Sequence, residues 1–136
     1  MDLVIVGSMG YDDIETPVAT GSDILGGSAV HSGVSASFHL PKTPEGICRV
    51  GMVAPVGMDF SDSHKIKLEE LGIDFSGVVK LPGKTFRWSG RYSGSMDDVE
   101  TSSTEVNGLG DFSPESPVQW RSPRVLFCAN THPSSQ

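Results

Sequence analysis

Apolar and polar residues along this chain fall into short runs whose period switches between that of a strand and that of a helix. Residues 3–6, Leu-Val-Ile-Val, are wholly apolar and stop at Gly7, as a central strand covered on both faces does. Residues 28–40 place Ala29, Val30, Gly33, Val34, Ala36 and Phe38 close to helical spacing, and Pro41 ends the run. Residues 48–53 form a second apolar strand. Residues 61–71 predict an amphipathic helix with Ile66, Leu68 and Leu71 inward, Lys65, Lys67, Glu69 and Glu70 outward, and Gly72 closing it. The order strand, helix, strand, helix implies a parallel sheet.

Beyond Gly72 the period shortens. Residues 76–81, 84–92 and 99–106 read as short strands, the last two alternating polar and apolar positions. Residues 93–98, Ser-Gly-Ser-Met-Asp-Asp, are rich in turn formers, so 84–92 and 99–106 are predicted to pair as a hairpin in an antiparallel flap. Residues 125–129 return to the pattern of a buried strand, and no helical pattern follows it.

Composition narrows the function classes. A length of 136 residues with 37% hydrophobic side chains is enough for one compact domain, and 16 glycines with 9 prolines indicate many turns. A formal charge of −7, with neither a basic run nor a basic helix face, argues against nucleic acid and anionic membranes as partners. Cys48 and Cys128 are far apart and each sits beside apolar residues, so two buried free thiols are expected rather than a disulfide. No apolar run reaches the ~20 residues of a membrane span and the chain opens directly on a strand, which points to a cytoplasmic protein.

Several familiar chemistries fail on spacing. Gly83-Lys84-Thr85 looks like the end of a phosphate-binding loop, but that motif needs glycine where Val78 stands, and Thr85-Phe86-Arg87-Trp88 alternates like a strand instead of opening a helix. His31, His39, His64 and His132 lack the spacing of a metal site, and there is no nucleophile elbow and no Cys-x-x-Cys. What remains is Asp12-Asp13 after the first strand, and Gly26-Gly27 opening a helix. A carboxylate and a diglycine in an α/β core are what a sheet needs to grip a hydroxylated ligand. A solvated acidic turn and a simple tight turn fit the same residues.

At these positions the chain resembles the ribokinase-like (PfkB) carbohydrate kinase family. The resemblance rests on Asp12 and Gly26-Gly27, on residues 50–59 (Val-Gly-Met-Val-Ala-Pro-Val-Gly-Met-Asp), on residues 68–74 (Leu-Glu-Glu-Leu-Gly-Ile-Asp) and on residues 84–92 (Lys-Thr-Phe-Arg-Trp-Ser-Gly-Arg-Tyr). It implies an α/β Rossmann-like parallel core with a small antiparallel β lid, here truncated: core over 1–75 and 123–136, lid over about 76–110. It also implies a sugar or nucleoside site at Asp12, Gly26, Gly27 and His31, with His31 where many members have Asn and Asn130 as a weaker further contact. The family's Asp-Thr-x-Gly-Ala-Gly-Asp motif, which brings the catalytic base and the ATP site, is absent from this sequence. ATP and Mg2+ thus go with the complete family enzyme, neither is expected to bind this chain alone, and no catalytic residue is assigned. The lid offers a route to a homodimer. The competing readings are a non-catalytic sugar-binding or dimerisation module, and an unrelated doubly wound nucleotide-binding domain, which the lack of G-x-G-x-x-G after the first strand weakens.

Overall fold

The computed structural model of the chain describes residues 1–45 and 49–133, so the thiol expected at Cys48 lies outside the described residues. In chain order the elements are β1 (Leu3–Val6), β2 (Gly10–Glu15), β3 (Thr20–Gly26), α1 (Ser28–His39), β4 (Val50–Val56), α2 (Asp62–Glu70), β5 (Ile73–Lys80), β6 (Phe86–Ser93), β7 (Asp98–Glu105) and β8 (Val125–Cys128). Two 3-10 turns, Asn107–Asp111 and Val118–Trp120, lie between β7 and β8.

The strands form two sheets. β5-β4-β1-β8 is parallel throughout, with Ile5 beside Met52 on one side and Phe127 on the other. One face of it packs Ile5, Met52 and Ala54 against Ala29 and Val30 of α1 and Leu68 of α2. The opposite face packs Val4, Val6 and Val53 against Phe112 and Trp120. Glycine permits that second contact: a Cβ at Gly51 or Gly77 would stand 2.8 or 2.7 Å from the Trp120 ring, so the indole lies directly on the backbone of β4 and β5. As expected, β1 is a central strand.

The second sheet, β3-β2-β6-β7, corrects the expected flap in two ways. It is mixed, because β2 runs parallel to β6 while β2/β3 and β6/β7 are antiparallel. Its first two strands come from residues read as an acidic turn and a connection, and β5, grouped with the flap in sequence, pairs parallel to β4. A left-handed Gly72 at φ 84° turns α2 so tightly that β5 starts at the buried Ile73. The β6/β7 hairpin itself forms as expected, with Ser93 opposite Asp98 and positive φ at Gly94 and Met96 in its turn.

Helix faces differ from the periodic reading too. In α1 the packed positions are Ala29, Val30, Gly33 and Ser37, while Val34 is exposed and Phe38 is 85% exposed. In α2 only Leu68 is buried, and Ile66 and Leu71 face solvent. Its inner face runs through His64, whose ring lies 5.6 Å from that of Tyr11 and 6.2 Å from that of Phe60. β8 is not buried: among the described residues it is the edge strand next to β1, and all four of its residues are exposed, Cys128 included. Among the described residues no helix is long and apolar enough to cross a membrane.

Candidate functional site

From β1 the chain moves to β4 and then β5 on one side, whereas β8 lies on the other. Open α/β sheets bind ligands at such a switch point, in the crevice beyond the carboxyl ends of the strands. Here that crevice is bounded by Gly7-Ser8 after β1, Ala129-Asn130 after β8, and the start of α1.

Two serines tie these three segments together. Ser8 N donates to Ser28 Oγ at 3.0 Å, Ser28 N donates to Ser8 Oγ at 3.1 Å, and Ala29 N donates to the Ser8 carbonyl at 3.0 Å. Ser28 Oγ in turn donates to the Asn130 carbonyl at 2.5 Å. Ser8 thereby satisfies the first amides of α1, which has no side-chain cap and no acidic residue in its first turn. The positive end of the helix dipole lies at this start, where a negative charge is favoured. Gly27 makes the turn at φ 103°, where a Cβ would overlap the Ser8 carbonyl and stand 2.8 Å from Met9 Cα.

Asp12 sits beside this helix start. It lies within β2, between Ile24 of β3 and Trp88 of β6, rather than in a turn after the first strand. The β2/β3 register shifts between Asp12 and Ile14, and the Asp12 carboxylate lies where a Cβ at Gly26 would have to be. Burial pushes the Asp12 carboxyl above the usual carboxylate range, partly offset by His31 and reinforced by Asp13. The Asp12 backbone pairs in the sheet, but no hydrogen bond among the described residues ends on its half-buried carboxylate. His31, in the first turn of α1, is exposed and close enough to stabilise the Asp12 charge. The four residues read from sequence thus converge on one spot. Asn130 contributes through its carbonyl to the serine network.

On the neighbouring strand positions Arg87 of β6 grips Asp13 through Nη1, at 3.1 and 3.0 Å, and Asp23 through Nη2 at 2.6 Å, while its guanidinium lies 5.4 Å from the Tyr11 ring centre. The amide of Asp23 holds the Asp13 carboxyl below its usual range, with Arg87 adding to the effect. The acidic pair therefore splits: Asp13 is structural and Asp12 is left for something else.

The connection from β5 to β6 is pinned to the end of β4. Thr85, 2% exposed, donates to Asp59 Oδ1 from both its amide and its hydroxyl at 2.7 Å and accepts from Gly57 N at 3.0 Å, and its carbonyl accepts from Asn107 Nδ2 at 2.9 Å. Thr85 therefore anchors both the outgoing and the returning ends of the β6/β7 hairpin. Sequence reading missed Ser8, Ser28, Thr85 and Arg87. The repeated Gly-Ser at positions 7–8 and 27–28 was the signal for the first two. Among the described residues no group of three or more His, Cys, Asp or Glu is placed to hold a metal ion.

No protein-family model matches the sequence, and no curated protein matches it. Solved structures do match. The nucleoside kinase of Methanocaldococcus jannaschii, described as an archaeal member of the ribokinase family, superposes with a TM-score of 0.71 at 14% identity, covering 99% of this chain and 46% of that one. The ribokinase of Cryptococcus neoformans in complex with ADP gives a TM-score of 0.68 at 14% identity, over 93% of this chain and 40% of that one. The nucleoside kinase of Burkholderia thailandensis in complex with inosine gives 0.60 at 15% identity, over 80% and 38%. The chain spans less than half the length of each of these proteins. The parallel sheet with its helices and the second mixed sheet together establish that this chain has the ribokinase-like fold.

Proposed function

We propose that this chain is the substrate-binding and lid portion of an ATP-dependent sugar or nucleoside kinase, and that it does not transfer phosphoryl groups by itself. The observation that carries the reading is Asp12: a half-buried carboxylate, without a hydrogen-bond donor from the protein, set against a diglycine at the start of a helix. Adjacent hydroxyls of a sugar or ribose are donors of the right kind, and each would replace water that burial has made harder to keep. Gly26 leaves room for the Asp12 carboxylate and Gly27 for the close turn at Ser8, and His31 supplies a further donor or acceptor. The second sheet, which carries Asp12 itself on β2 and is anchored at Thr85, is the lid of this reading.

ATP and Mg2+ do not fit the residues described. No acidic cluster is placed for Mg2+ and the sequence has no glycine-rich phosphate-binding motif, so no chemical step through either group is derived for this chain. With ATP, magnesium and a panel of pentoses, hexoses and nucleosides, the purified chain should release ADP only at background. Turnover above background that disappears in Asp12→Ala would overturn the inactive-alone reading.

Asp12→Asn separates a binding role from a structural one. The folded-state pKa of Asp12 is raised, so ionising it opposes folding at neutral pH, and the neutral amide should leave stability unchanged or slightly higher. Sugar binding should nevertheless fall about tenfold or more, since an acceptor becomes in part a donor. For the same reason wild-type binding should weaken as pH drops, beginning above the range of an ordinary carboxylate. A pH-independent affinity, or a large stability loss in Asp12→Asn, would contradict the role.

The second reading, a non-catalytic sugar-binding or dimerisation module, draws on the missing catalytic motif. It differs in needing no complementary portion. Pairing through the lids would give a homodimer, detectable by sedimentation, that a charge reversal on β7 weakens.

A further inference from the structure

The β2/β3 ladder breaks one residue from Asp12. Between the pairs Asp12–Ile24 and Ile14–Gly21, one residue of β2, Asp13, stands against two of β3, Ser22 and Asp23, which makes a bulge. Asp23 takes φ 55°, the left-handed backbone that such a bulge ordinarily gives to glycine, and a side chain there is strained. It is held twice. Asp13 Oδ1 accepts from Asp23 N at 2.9 Å, and Arg87 spans the bulge, Nη1 on both Asp13 oxygens and Nη2 on Asp23 Oδ1. Stability alone is a poor reason for this arrangement: the Asp23 side chain is 68% exposed, and ion pairs so open to water contribute little. Geometry supplies another. Successive side chains of a strand point to opposite faces, so Tyr11 and Asp13 lie on one face of β2 and Asp12 on the other. Arg87 pairs with Tyr11 across β2 and β6 and rests on its ring, while the Tyr11 hydroxyl accepts from Ser61 N at 3.0 Å, where α2 begins. The guanidinium thus joins β2, β3 and, through Tyr11, the core, behind Asp12. On the front, the Asp12 carboxylate is seated against Gly26, two positions along β3 from its partner Ile24. A bulge re-aims the side chains next to it, so the place of Asp12 over Gly26 depends on this bulge keeping its shape.

We propose that Arg87 is a positioning residue for Asp12: its fork fixes the bulge behind β2 and so aims the carboxylate at Gly26 and the start of α1. This role rests on Asp12 being the acceptor for the ligand's hydroxyls, and it adds a residue that does not touch the ligand. Lysine cannot take its place, because one ammonium on a flexible stem lacks the fixed spacing with which a guanidinium reaches two carboxylates. The charged groups around Asp12 are His31 from α1 and Asp13 on its own strand, with Asp23 of β3 and Arg87 of β6 on the far face; its strand partners Ile24 and Trp88 do not titrate. Arg87→Lys leaves all of these charges in place, so a change in the titration of Asp12 reports a change in its position.

Carbon-detected NMR titration of the Asp12 carboxyl, and calorimetric titration with ribose, glucose and adenosine, test the role in the purified chain. In Arg87→Lys the Asp12 midpoint, raised by burial in the wild type, should fall toward the ordinary carboxylate range as the group swings into water. Affinity for whichever of the three ligands binds should drop about fivefold or more, part of the worth of a hydrogen bond to a charged group. Arg91→Lys is the control: Arg91 pairs with Glu15 at 2.9 Å across the same two strands, further from Asp12, and its replacement should move neither readout. Adding Asp23→Gly to Arg87→Lys should restore both, since glycine takes the left-handed backbone without being held there. If lysine alone unfolds the chain, the double variant should recover the fold together with both readouts. A midpoint that stays or rises in Arg87→Lys, an affinity that survives it, equal losses in Arg91→Lys, or a double variant that stays impaired would overturn the role. The two proposals fail separately: a wild type that binds none of the three, with a midpoint that falls in Arg87→Lys, overturns only the sugar site, whereas wild-type binding that Arg87→Lys preserves overturns only the positioning role.

Discussion

Thr85→Val is expected to destabilise the chain by about 3 kcal/mol, as the sum of a lost hydrogen bond to a charged group and a buried amide left without its acceptor. Valine keeps the shape, so little of the loss comes from packing. What disappears is the hydroxyl that donates to Asp59 and accepts from Gly57 N in a site with 2% exposure. The effect should also carry a pH signature. Burial pushes the Asp59 carboxyl up, but the Thr85 hydroxyl and amide outweigh it and hold the pKa below its usual value. A depressed carboxylate pKa contributes stability that is fully present above the ordinary carboxylate range and is lost as pH falls through the depressed value. Urea unfolding at neutral and acid pH should show the mutant's deficit shrinking on the acid side. A deficit under about 1 kcal/mol, the size of an ordinary solvent-exposed hydrogen bond, would mean that the hairpin is anchored elsewhere.

Gly27→Ala should cost about 3 kcal/mol or more, since a left-handed backbone carries 1–3 kcal/mol of strain for a side chain and the added Cβ meets fixed backbone at Ser8 and Met9. Neither neighbour can swing aside, because Ser8 is held by Ser28 and Ala29. Gly26→Ala makes the informative contrast. Gly26 has no positive φ, and the atom in its way is the tip of the Asp12 side chain. That substitution should cost much less stability while displacing the carboxylate and abolishing sugar affinity. Thermal unfolding and ligand titration of the pair check this: equal stability losses at the two positions would show that the diglycine serves the turn alone.

The parallel core was legible because its signals are local. Leu3–Val6 and Val50–Val56 are unbroken apolar runs, and a sheet covered on both faces requires nothing else of its central strands. β2 and β3 were not legible, since Gly10–Glu15 carries two aspartates and a glycine that disfavour strands in isolation. Arg87, 74 positions away, makes Asp13 acceptable there, and no local pattern announces such a partner. The inward face of α2 was misjudged because Ile66 and Leu71 are apolar by composition, while His64 is the residue that the aromatic cluster of Tyr11 and Phe60 selects. β8 has the composition of a buried strand, and exposure at a sheet edge depends on what lies beside it. Asp12, Gly26, Gly27 and His31, the residues proposed for the site, stood out in the sequence, but their closeness and the serine network beside them are products of the fold.

Isothermal titration of the purified chain with pentoses, hexoses and nucleosides, in the absence of ATP, tests the central claim most directly. The account predicts saturable binding of at least one of them, unchanged when ATP is added and weakened about tenfold or more in Asp12→Ala, the scale of 1.4 kcal/mol in a binding equilibrium. Absence of binding by the folded chain across the panel, or an affinity that Asp12→Ala leaves untouched, would contradict it.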